Sequence, residues 1–62
     1  MIWFDEDGKS GTQAPLRADG TSDVANLSTF AKAHDLKPGS NCFIIQTSQV
    51  YMMQSDGTWK SI

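Results

Sequence analysis

NCFIIQTSQVYMMQSDGTWKSI, residues 41–62, holds two nearly continuous apolar runs, Cys42-Phe43-Ile44-Ile45 and Val50-Tyr51-Met52-Met53, and a third segment carrying Trp59 and Ile62. A strand with one wet face alternates apolar and polar residues, and these two runs do not. A connection of two or four residues pairs Ile45 with Val50 and Phe43 with Met52. One face then carries Phe43, Ile45, Val50 and Met52, and the other carries Cys42, Ile44, Tyr51 and Met53. A chain of 62 residues can cover only one of them with its own residues. The stretch describes a surface that needs a partner, and it names no reaction.

Working outward, Asp56-Gly57 between Met53 and Trp59 is a tight-turn signal. A two- or four-residue loop there places Trp59 on the Phe43/Met52 face, and a three-residue bulged loop places it on the opposite one. Upstream, Thr21-Ser22-Asp23 offers N-caps, and Val24, Leu27, Phe30 and Ala31 fall on one helical stripe, which predicts a helix over about 23–34. Asp23 near its start and Lys32 and His34 near its end suit the macrodipole, and Asp35-Leu36-Lys37-Pro38-Gly39 ends it. Residues 13–20, QAPLRADG, read as aperiodic, and Asp5 to Thr12 reads as a glycine-containing polar loop. The expected architecture is α+β: an extended N-terminal arm over 1–20, then a small domain over 21–62. That domain comprises one short helix and a three-stranded antiparallel C-terminal meander.

At this length a single core is only marginally stable without a staple. The lone cysteine, Cys42, cannot close an intrachain disulfide, and one cysteine with one histidine makes no structural zinc set. Oligomerisation is the remaining common device. The net charge is −2, the five basic residues are scattered, and the pI is 4.9, whereas a nucleic-acid binder of this size usually shows a basic patch and a pI above about 9. Neither nucleic acid nor membrane is expected as a partner, since no apolar run approaches the ~20 residues of a span. The start lacks a signal-peptide pattern, and a free cysteine in an apolar run fits synthesis in a reducing cytoplasm.

The chemistry-bearing residues form no catalytic pattern. Asp5, Asp7 and Gly8 begin like a calcium loop, but the twelfth position from Asp5 is Leu16 where a bidentate glutamate is needed. Cys42 opens an apolar strand, a setting that suppresses a thiolate, and His34 sits where a helix C-terminal cation belongs. Gly8-x-x-Gly11 lacks the strand-and-helix context of a phosphate loop. The expectation is therefore no enzyme, no cofactor and no metal. Phe30 and Phe43 read as core. Ile2, Trp3, Phe4, Tyr51, Met53 and Trp59 are the candidate interface residues, because large apolar and aromatic side chains dominate contact surfaces.

From Pro38 to Trp59 the chain runs Pro38-Gly39-Ser40, an apolar strand, Gln46-Thr47-Ser48-Gln49-Val50-Tyr51-Met52, then Ser55-Asp56-Gly57-Thr58-Trp59. This order resembles the C-terminal hairpin of short tailed-bacteriophage virion proteins of the head-fibre or minor capsid-associated kind. The resemblance covers about a third of the chain and includes no fibre shaft. It implies a structural component of a phage particle, made in the host cytoplasm and located in the virion, as a head-fibre base, capsid decoration or minor head protein. It further implies a homotrimer docked on the major capsid or another virion protein. The apolar cluster Ile2-Trp3-Phe4 either folds back on the helix and sheet or, with Trp3 as anchor, attaches the 1–20 arm to that larger partner. The competing expectation is a small soluble adaptor or inhibitor that binds a host protein by strand addition.

Overall fold

A computed structural model describes all 62 residues. Five strands form one mixed sheet in sequential order: β1 (Ile2–Phe4), β2 (Pro15–Ala18), β3 (Asn41–Ile44), β4 (Gln49–Met53) and β5 (Trp59–Ser61). The β2–β3 pair is parallel and the other three pairs are antiparallel. A helical segment joins β2 to β3, one 3-10 stretch over Thr21–Asn26 continuing into α1 (Leu27–Ala33). Parallel neighbours need a crossover of a dozen or more residues, and this segment supplies it.

The expected arm and three-stranded meander are overturned by β1 and β2, which build residues 1–20 into the sheet. β2 is internal, with Leu16 and Ala18 facing the core and Arg17 facing out. Its signal is faint: Ala14, Leu16 and Ala18 alternate with Pro15, Arg17 and Asp19, but alanine and proline have little strand propensity. Proline is tolerated because it is the first strand residue and its missing donor leaves no acceptor stranded. The Asp5 N–H donates to the Pro15 carbonyl at 3.0 Å, while the Asp5 carbonyl accepts from Gly8 N–H at 2.8 Å. A Cβ at Gly8 would lie 2.8 Å from that Pro15 oxygen, so this turn admits only glycine without a shift.

The register of the hairpin also differs from expectation. Phe43 pairs with Val50 and Cys42 with Tyr51, a two-residue slip from the expected pairing of Ile45 with Val50. The cause is β2: its Ala18 carbonyl takes the Ile45 N–H at 2.9 Å, and the Asp19 carbonyl takes the Gln46 N–H at 3.0 Å. Ile45 to Ser48 then make the turn, with Ser48 left-handed at φ 59°. A slip of two preserves the side-chain alternation, so the two faces keep their expected membership. At the second hairpin Gln54 N–H bonds the Thr58 carbonyl at 2.7 Å around Ser55-Asp56-Gly57, with Gly57 at φ 90°. This is the three-residue bulged loop, and it puts Trp59 opposite Met53.

The expected helical stripe is present. Leu27 and Ala31 are buried, and Val24 and Phe30 pack on the core's margin. The helix stops before Pro38: Asp35 is left-handed at φ 53°, Leu36 N–H bonds the Ala31 carbonyl at 2.9 Å, and Leu36 is buried. That is a Schellman closure with its apolar contact, made by aspartate in place of glycine.

The core lies between the helix and one sheet face, with Ala14, Leu16, Ala18, Cys42 and Ile44 below and Leu27, Ala31 and Leu36 above. Ser40 is the buried polar residue that locks its end. Its hydroxyl donates to the Lys37 carbonyl at 2.7 Å and accepts from Ala14 N–H at 3.1 Å, joining the loop after the helix to the entry of β2. Ser40→Ala should therefore leave a buried N–H unpaired and cost about 1–3 kcal/mol, read as a lower urea midpoint with an unchanged slope.

Candidate docking face

One helix covers one face of the sheet, and the other face has no cover. Register assigns the side chains. Ile2, Phe4, Tyr51, Met53 and Trp59 point to the helix side and pack against the core. Trp3 points the other way, opposite Arg17, which lies opposite Phe43, which lies opposite Val50. Of the six candidate interface residues, Trp3 alone stands on the uncovered face. The Tyr51/Met53 face, expected to remain free, is the one the helix occupies. The Phe43 side chain, read as core, is on the open side.

The open face continues beyond the strand ends. Ile62 N–H bonds the Val50 carbonyl at 2.9 Å, which carries Ile62 onto the same side, while the Met1 amine turns to the start of the helical segment and bonds Asp23 Oδ1 at 2.8 Å. The three large apolar side chains with the greatest exposure are Met1 at 77%, Ile45 at 48% and Ile62 at 84%. Ile45 and Ile62 belong to this face by alternation, together with half-buried Trp3, Phe43, Val50 and Met52. Scattered exposed apolar residues need no explanation, but a patch gathered on one side does.

Charge on this face is confined and organised. Arg17 Nε lies 3.3 Å from Asp5 Oδ1, and its guanidinium sits 6.0 Å from the Phe43 ring centre. The Glu6 N–H donates to that same Oδ1 at 2.9 Å. These two bonds, the Glu6 one first, hold the Asp5 carboxyl below the usual range. A shallow groove of about 300 Å³ runs between Asp5, Arg17, Asn41 and Phe43.

On the helix side the cysteine and the histidine are both packed against the core or its margin. The Cys42 side chain is wholly buried, and burial, with a smaller push from the Asp23 charge, raises its thiol to about 11. The His34 ring stacks on Phe30 at 4.3 Å and meets Phe4 edge-on at 5.1 Å, with Nδ1 3.2 Å from the Ser10 hydroxyl. No three of the His, Cys, Asp and Glu side chains are grouped to hold a metal ion, and no helix is long and apolar enough to cross a membrane. No family model, curated protein or solved structure matches the chain.

The open face was partly legible. Alternation sorted Phe43, Val50 and Met52 together, but choosing which face the helix takes required β2, whose Leu16 and Ala18 extend the Cys42/Ile44 side. Arg17 and Asp5 had no sequence signal, because a cation between two aromatic residues arises only across paired strands.

Two outcomes test this assignment. Met53→Lys should cost about 1–3 kcal/mol in chemical denaturation, because the side chain packs inward. At pH 8 a thiol reagent should label native Cys42 about a hundredfold more slowly than the urea-unfolded chain, following the thiolate fraction. The raised thiol also links to stability. The folded state keeps a proton that the unfolded chain releases above its ordinary 9.0, so this contribution is intact below pH 9 and is lost as pH rises toward 11.

Proposed function

We propose that this protein is a non-catalytic structural subunit that self-associates through the open face of its sheet and docks in a larger assembly. The observation that carries the reading is the collection of Trp3, Phe43, Ile45, Val50, Met52 and Ile62 on the one face left without a helix. Covering that face removes apolar area from water at about 25 cal/mol per Å². It also gives a chain with no disulfide a second source of stability.

The setting comes from the resemblance over 38–59 to tailed-phage head-fibre and minor capsid-associated proteins. Those residues make up β3, β4 and the start of β5, the part of the sheet that supplies Phe43, Val50 and Met52. The proposed place of action is accordingly the virion, with a capsid or other particle protein as the larger partner. Residues 1–20 have no role as a free anchor in this proposal, since Ile2–Phe4 and Pro15–Ala18 within them are strands of the sheet.

A second reading is favoured by the sheet's edges. Ladder bonds at Asp5, Met1, Gln54 and Ile62 imply that the backbone groups of Ile2, Phe4, Trp59 and Ser61 point away from the sheet. Such edges can accept an added strand from a host protein. Sedimentation separates the two readings. Phe43→Lys should convert an oligomer to the 6.8 kDa monomer while far-UV circular dichroism shows the fold retained. A wild-type chain that is monomeric at all concentrations favours the adaptor. Mass spectrometry of purified particles that finds no copies of the chain would remove the virion setting.

A further inference from the structure

We infer that the occupant of the open face is a second copy of this chain, related by a two-fold axis running along β3. This rests on the self-associating reading and specifies its partner surface. The face consists of cross-strand rows, and two of them decide the matter. One runs Trp3, Arg17, Phe43, Val50 and then Ile62. The next runs Asp5, Pro15, Asn41, Met52 and Lys60.

β3 is the middle strand of five. Rotation about its direction lays β1 of one copy over β5 of the other and leaves β3 over its own equivalent. Phe43 then meets Phe43 at the centre. Trp3 covers Ile62 of the second copy on both sides, and Pro15 meets Met52. The ends of the second row bring Asp5 against Lys60, twice by symmetry. Both bonds that Asp5 makes fall on Oδ1, so Oδ2 is free to receive an ammonium. Lys60 is exposed and makes no ion pair within its own chain.

The other in-plane two-fold, across the strands, lays each strand over itself. It opposes the Asp5 end of β1 to the Met1 end, whose ammonium is already held by Asp23 at 2.8 Å and Asp19 at 3.3 Å, and it leaves Lys60 opposite no acidic side chain. Charge complementarity therefore selects the axis along β3. Size sets the strength. The molecule measures 26 × 24 × 17 Å, so its broad face can bury at most about 600 Å² per copy, near 1,200 Å² in total. That is the lower limit for a specific pair, and the expected Kd is micromolar or weaker.

The test is sedimentation equilibrium on the wild-type chain, K60D, D5K and an equimolar mixture of the two variants, up to about 1 mM. Far-UV circular dichroism confirms that each variant is folded, and D5N controls for loss of the Arg17 bond. The wild-type chain should be a dimer. K60D and D5K should each weaken dimerisation by about tenfold or more, since each converts two attractive pairs into two repulsive ones. The mixture should recover heterodimers at near wild-type affinity, because each variant restores the other's pair, and raising the salt should diminish the difference. Three results overturn the two-fold pairing while leaving self-association standing: a wild-type trimer, charge variants that associate like wild type, or a mixture no tighter than its components. A wild-type chain that stays monomeric overturns both.

Discussion

The parallel pairing of β2 with β3 is the constraint on which the rest of this structure depends. Parallel strands cannot be joined by a tight turn, so the chain must leave the sheet after Ala18 and return at Asn41. The crossover is long enough for one helix and no more. That helix lies on one face of the five strands, and no element packs on the other. The asymmetry of the molecule follows from chain length and one strand pairing.

The two faces differ in the size of their residues as well as in their cover. Beneath the helix the sheet presents Ala14, Ala18 and Cys42, and the helix answers with Ala31, so the layers approach closely around Leu16, Leu27 and Ile44. Bulk is moved to the rim. Phe4, Phe30 and His34 close one margin, and Tyr51, Met53 and Trp59 pack at another. Such a core is small, and the buried Ser40 bridge matters more in it than it would in a larger domain. The Trp59 Nε1–H, buried without an acceptor, adds a cost that the ring's apolar contact must offset.

On the open side apolar and charged side chains are interleaved, with Trp3 and Ile62 at the edges as well as Phe43 and Val50 in the middle. Phe43 and Val50 occupy the middle strands, Arg17 lies between the Phe43 and Trp3 positions, and Asp5 and Lys60 sit on the outer strands. Arg17 also limits how sticky the exposed face is, since its stem covers ring surface while its charge stays hydrated.

Local sequence determined the helix and the two faces of the β3–β4 hairpin. Val24, Leu27, Phe30 and Ala31 recur at helical spacing, and alternation assigns Cys42, Ile44, Tyr51 and Met53 to one side whatever even slip the hairpin takes. The absence of a disulfide and the lack of any periodic cover for a second face were legible in the same way. Tertiary structure decided the rest. Pro15-Leu16-Arg17-Ala18 has weak strand propensity and becomes a central strand because β1 and β3 satisfy its backbone on both sides. Once there, it takes the Ile45 and Gln46 donors, moves the hairpin register, and extends the Cys42/Ile44 side into the surface on which the helix packs. Which face was buried, and so which residues face a partner, depended on hydrogen bonds between segments more than twenty residues apart, and local patterning carries no record of them.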